Sequence, residues 1–156
     1  MVKKIHPKEH LKHFFAKDEE ADITRAVQEA EKTCGVEFRV AIAHASHRDV
    51  HKLAARVFKH LGIAKASPDH PGVLVLVLPV RREFILWGNK RVHEALAAGH
   101  WERARAAAIP LFKEGRNKDA ITTILQMLSQ TLAQTFPPVP GAVSHGAQAD
   151  KPIDVR

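Results

Sequence analysis

Residues 72–78 have the sequence Gly72-Val73-Leu74-Val75-Leu76-Val77-Leu78, and Pro79 follows them. The six consecutive large aliphatic residues in this run, half of them β-branched, are not interrupted by any polar residue. A strand with this pattern is covered on both faces, as the central strands of α/β sheets are. The run therefore predicts a buried central strand, and it indicates nothing about chemistry.

Two more strands are predicted around this run. Residues 36–43 alternate between apolar and charged side chains at their start, which is typical of a strand. An apolar helical stripe over about residues 49–61 joins that strand to residues 72–78, which predicts a βαβ unit with parallel strands. The intervening Pro79–Arg82 segment is short enough for a hairpin, so residues 83–87 should return antiparallel.

Further helices are predicted on both sides of this sheet. Apolar spacing of three and four residues predicts helices over about residues 18–33, 92–97, 100–115 and 118–135. We expect Pro110 to kink the third of these helices or to end it at Ile109. The fold class is therefore α/β, with a small mixed sheet of three to four strands, built from one βαβ unit and a hairpin and sandwiched between helices.

The chain divides by composition into three parts. Residues 1–17 form a basic, histidine-containing segment, residues 18–138 carry the periodic patterns of one domain, and residues 139–156 lack periodicity. The last part is rich in Pro, Gly, Ala and Ser, which predicts a disordered tail.

Composition limits the function classes. The net charge is +7 with 11 histidines, so the surface favours anionic partners. The single cysteine, Cys34, lies on an apolar helical stripe and is expected to be a small buried hydrophobe. Residues 1–17 show no signal peptide and no window is apolar enough to span a membrane, so we expect a cytoplasmic protein without a transmembrane segment.

The order of these features resembles the TPM domain, from about Phe14 to Pro138. The resemblance rests on several pieces that occur together, and the sequence features that carry it are Val36-Glu37-Phe38-Arg39-Val40, Val57-Phe58 with Leu61-Gly62, Gly72-Val73-Leu74-Val75, Trp87-Gly88-Asn89-Lys90, Trp101, Phe112 with Gly115, and Phe136-Pro137. The chain is most similar to short bacterial members without a signal peptide, membrane helix or glycine-rich tail.

The resemblance also implies where a site should lie. In the family it lies between an Asn-Gly pair before the central strand and a Gly-Asp-x-Gly-like turn after the next strand. The corresponding segments of this chain are His70-Pro71-Gly72 and Gly88-Asn89-Lys90-Arg91. Only the two glycines match, and an asparagine replaces the carboxylate. The candidate ligand-binding residues are Asp69, His70, Gly72, Gly88, Asn89, Lys90 and Glu94.

Three histidines form a second candidate site. His47 and His51 are four residues apart, a spacing that could chelate a transition metal on a helix, and His44 precedes them. The alternative is a polar loop followed by an exposed first helical turn. An anion bound at the start of this helix, assisted by Arg81 and Arg82, is a further alternative.

These patterns favour a non-catalytic binding or interaction module of the TPM type with a degenerate family site. The alternatives are a weak divalent-metal-dependent, acid-phosphatase-like hydrolase, as in one plant branch of the family, and transition-metal or anion binding through the histidines. A divalent cation is the cofactor that the resemblance implies. The partner is an unknown protein or an anionic ligand, and nucleic acid is not expected because aromatics lie on apolar faces.

Overall fold

Helices and strands follow one another in the order that the sequence predicts. The computed structural model describes residues 14–44, 49–64, 69–138 and 152–155. In chain order the elements are α1 (Lys17–Thr33), β1 (Glu37–Ala43), α2 (Val50–His60), β2 (Gly72–Leu78), a 3₁₀ turn (Pro79–Arg81), β3 (Glu83–Gly88), α3 (Lys90–Ala95), α4 (Ala98–Lys113), α5 (Asn117–Leu132) and β4 (Ile153–Val155).

The strands form one mixed sheet in the order β3-β2-β1-β4. β1 and β2 are parallel, with Glu37 opposite Gly72 and Ile42 opposite Val77. β3 returns antiparallel to β2. Both the parallel pair and the hairpin are therefore confirmed, and every residue of β2 is buried.

Alternation along the strands sends side chains to two separate cores. Phe38, Val40 and the valines of β2 face α1, α4 and α5. Ala41 and the leucines of β2 pack on the opposite side, with Leu53 and Val57 of α2. The sheet is thus covered by helices on both sides, as the continuous aliphatic run predicts.

The prediction that the helix containing Pro110 would end at Ile109 is wrong. α4 runs without a break from Ala98 to Lys113 with Pro110 inside it. Proline has no N–H to donate to the preceding turn, but its carbonyl still accepts from Glu114 N–H at 3.1 Å. Because Pro110 is exposed, water can replace the missing bond to the preceding turn.

The end of the chain departs from the expected disordered tail. Ile153–Val155 form the short strand β4, which pairs in parallel with Ala41, Ile42 and Ala43 of β1. Residues 139–151 lie outside the described residues. Propensity could not predict this strand, because its backbone partner is an edge more than a hundred residues earlier.

None of the helices in the described part of the chain is both long and apolar enough to cross a membrane.

Candidate functional site

Asn89 ties the end of β3 to the start of β2. Its Oδ1 accepts from the N–H of Gly72 at 3.3 Å and from the N–H of Val92 at 3.4 Å. Its Nδ2 donates to the carbonyl oxygen of His70 at 2.7 Å. The bond to Val92 also makes Asn89 the N-cap of α3. One amide therefore caps a helix and fixes the approach to the central strand.

Both ends of the amide are needed for this arrangement. The carbonyl oxygen accepts, and the NH₂ group donates to another carbonyl. An aspartate in this place could accept the bonds from Gly72 and Val92, but it would place an anionic oxygen beside the His70 carbonyl. An asparagine therefore fits this hydrogen-bond pattern better than an aspartate would.

The glycines Gly72 and Gly88 lie where neighbouring side chains come very close. A Cβ on Gly72 would lie 2.6 Å from Ile63 Cγ2. A Cβ on Gly88 would lie 2.7 Å from Val92 Cγ1 and 3.0 Å from the Trp101 ring. Close packing therefore accounts for both glycines that match the family pattern.

The charged candidates around Asn89 are dispersed at the surface. Asp69, Lys90 and Glu94 are exposed, and Glu94 pairs with Arg91 at 3.8 Å. His70 contributes its backbone carbonyl to Asn89. In the ranges that the structure describes, no group of three or more His, Cys, Asp or Glu residues could hold a metal ion. The structure brings His70, Gly72 and Asn89 together, and it does not assemble an acidic site around them.

The histidine candidates are only partly described. His44 follows β1 and is exposed, and His51 is exposed in the first turn of α2. Asp49 caps that helix, with Oδ1 accepting from the N–H groups of His51 and Lys52 at 3.1 Å each. His47 lies outside the described residues, so the three-histidine site stays a prediction.

A buried charged pair on β1 was not singled out by the sequence. Glu37 is 4% exposed. Its Oε1 lies 4.0 Å from Nη2 of Arg39, and its Oε2 accepts from the N–H of Ala64 at 3.0 Å. Ala64 has a φ of 61°, which is unusual for a residue with a side chain. Glu37 thus holds the turn after α2 against the sheet.

The signal for this pair was two charges of opposite sign, two residues apart, in a strand next to the central one. Alternation alone does not distinguish a solvated strand face from a buried ion pair, so this pattern by itself does not indicate the pair. The link to Ala64, 27 residues away, exists only in the tertiary structure.

Cys34 is fully buried, and its Sγ donates to the carbonyl of Ala30 at 3.4 Å. Burial raises the pKa of the Cys34 thiol to about 11, and the charge of Glu31 adds to the effect. A thiol with this pKa is protonated at neutral pH, so it is a poor nucleophile.

Comparisons with known proteins agree with this fold. The model of the TPM domain family matches residues 10–131. A solved structure, the NMR structure of the BA42 protein from the psychrophilic bacterium Bizionia argentinensis sp. nov., superposes with a TM-score of 0.81 at 25% identity, covering 91% of this chain and 96% of that chain. The search of curated proteins gave no significant match.

Proposed function

This chain belongs to the TPM domain family, and we propose that it is a non-catalytic binding module in which the family's site has become a structural tie. The observation that carries the proposal is the set of three side-chain hydrogen bonds made by Asn89. Through these bonds Asn89, which replaces the family's carboxylate, holds β2, β3 and α3 together.

The local charges support binding without chemistry. A hard cation such as Ca²⁺ or Mg²⁺ needs several carboxylate oxygens. The acidic candidates near Asn89 are Asp69 and Glu94, both exposed, and Glu94 is paired with Arg91. Among the described residues, a metal-dependent phosphohydrolase would lack the ligands that hold its cation.

The first experiment restores the carboxylate. Asn89→Asp should lower the free energy of unfolding by about 1–3 kcal/mol, because the donor to the His70 carbonyl is lost and two oxygens face each other. It should not create submillimolar affinity for Ca²⁺, Mg²⁺ or Mn²⁺. Chemical denaturation measures the first effect and titration calorimetry the second.

The matched control is Asn117→Asp, which makes the same change at the first residue of α5. A negative charge there interacts favourably with the helix dipole, so stability should stay equal or rise by up to about 1 kcal/mol. Submillimolar Ca²⁺ affinity in Asn89→Asp without loss of stability would contradict the structural role of the amide.

The proposal also excludes phosphatase activity. Purified protein should not hydrolyse p-nitrophenyl phosphate with any of the divalent cations. Turnover that is abolished by Asp69→Asn or Glu94→Gln would refute the proposal and restore the hydrolase alternative.

A further inference from the structure

The outer face of α2 is entirely basic. The exposed residues of this helix are His51, Lys52, Arg56, Lys59 and His60, and its sequence contains no acidic residue. The lysines and the arginine follow one another at spacings of four and three residues, which places them on one side of the helix. The opposite side, with Leu53 and Val57, packs on the sheet. The cations therefore line a face that points away from the core.

This pattern differs from the rest of the molecule. The helices α1, α3, α4 and α5 each contain an ion pair within their own sequence. Lys52, Arg56 and Lys59 form no ion pair with any described residue. Of the described helices, α2 is the one whose 11 residues carry three cations and no acidic side chain to offset their charge.

An exposed apolar residue lies at the end of the sheet where α2 begins. Val80 is 55% exposed at the tip of the β2–β3 hairpin, and the exposed Arg82 lies beside it. Leu78, which leads into the hairpin, is buried in the core cluster against which Val50, the first residue of α2, packs. The hairpin tip and the start of α2 therefore lie at the same end of the sheet.

We propose that the α2 face and the hairpin tip together form a docking surface for a membrane that contains anionic lipids. This surface, Lys52, Arg56, Lys59, Val80 and Arg82, is called the basic face below. Lysine and arginine bind negatively charged headgroups from a distance, while an exposed apolar side chain can enter the interface. The inference rests on the proposed function, because it names the partner of the binding module.

The side chains favour a lipid surface over nucleic acid. Stacking on bases uses Phe, Tyr, Trp or His side chains among the cations, and the exposed positions of α2 carry no Phe, Tyr or Trp; their rings are those of His51 and His60, at the two ends of the helix. The apolar residue at the tip would contribute nothing to contacts with phosphodiesters. A bilayer surface engages both the cations and Val80.

The experiment is co-sedimentation with phosphatidylcholine vesicles that contain or lack phosphatidylserine. Wild-type protein should bind only the anionic vesicles, and binding should weaken with added salt. The variant Lys52→Gln/Arg56→Gln/Lys59→Gln should lose on the order of a hundredfold in partitioning, since each cation contributes about fivefold at such a surface. The matched control is Lys17→Gln/Arg103→Gln/Lys113→Gln, which removes the same charge at exposed positions outside α2 and should lose far less.

A second pair of variants tests the lipid itself. Val80→Ser should weaken vesicle binding and leave binding to heparin, a soluble polyanion, unchanged. Ile109→Ser, at the other exposed large apolar residue of the described chain, should affect neither. Circular dichroism verifies that each variant is folded.

Three results would overturn the inference. They are failure of wild-type protein to bind anionic vesicles at low salt, equal losses in the α2 and control triple variants, and unchanged vesicle binding in Val80→Ser. The third result would assign the basic face to a soluble polyanion. None of them refutes the binding module itself, which fails instead if the protein hydrolyses phosphomonoesters.

Discussion

At the scale of single residues, the amide of Asn89 contributes more to the architecture than its exposed neighbours do. Its NH₂ group donates to the His70 carbonyl, and its Oδ1 accepts from the N–H groups of Gly72 and Val92. Gly72 and Gly88 have no room for a Cβ, because Ile63 lies against the first and Val92 and Trp101 lie against the second. Packing and hydrogen bonding thus account for Gly72, Gly88 and Asn89 in these two turns.

The glycines give a direct test of this packing. Gly72→Ala and Gly88→Ala should each lower the free energy of unfolding by about 1–3 kcal/mol, because the new methyl group overlaps with a packed side chain. Gly99→Ala is the control, since a Cβ there meets nothing within 4 Å. It lies in the first turn of α4 and should stabilise by about 0.5–1 kcal/mol. Urea denaturation of the three variants measures these changes, and equal effects in all three would contradict the packing explanation.

Cys34 predicts a pH dependence. Burial raises the pKa of its thiol from 9.0 to about 11, so the folded state keeps the proton that the unfolded state loses. The contribution of the thiol to stability is fully present below pH 9.0 and is lost as the pH rises toward about 11. Two pKa units correspond to roughly 2–3 kcal/mol.

The measurement compares free energies of unfolding at pH values on either side of this window. Wild-type protein should lose more stability than Cys34→Ala and Cys34→Ser, which have no titrating thiol. Parallel pH profiles for the three proteins would show that the thiol ionises equally in the folded and unfolded states.

At the scale of elements, the two departures from the predicted structure both concern backbone hydrogen bonds. α4 continues through Pro110, and Ala104 and Ala108, which precede the proline, pack the helix into the core. β4 forms because β1 would otherwise present an unpaired edge along Ala41, Ile42 and Ala43. In both places the tertiary environment outweighs the local propensity.

Removal of residues 139–156 tests the role of β4. The truncated chain should lose about 1–2 kcal/mol of stability, because the outer backbone groups of β1 lose their partners. Hydrogen exchange of the amides from Ala41 to Ala43 should accelerate more than that of Val75, which lies in β2 between two strands. Equal acceleration at both places would mean that the tail stabilises the fold in another way.

At the scale of the whole molecule, two helices on opposite sides of the sheet, α1 and α2, differ in charge. α1 contains six acidic and three basic residues, and it packs on the core that includes Phe38 and Val40. α2 contains three basic and no acidic residues, and it packs on the other core. α4 packs on the same core as α1 and contains three basic residues and one acidic residue, so the contrast is between α1 and α2. An anionic surface should therefore meet α2 and repel α1.

The amino-acid sequence by itself determined the layers of this protein. An uninterrupted aliphatic run requires cover on both faces, and the lengths of the following connections leave a parallel crossover and a hairpin as the arrangement of β1, β2 and β3. These are short-range constraints, so they can be recognised in the sequence.

Only the tertiary structure decided which polar groups meet. The bond from Glu37 to Ala64, the tie from Asn89 to His70 and the pairing of β4 with β1 join residues that are far apart in the chain. A hydrogen bond depends on distances of tenths of an ångström and on direction, which residue spacing does not encode. Hydrophobic burial tolerates larger errors because it has no direction. For this reason the fold could be predicted from the sequence, whereas the structural role of the candidate site could not.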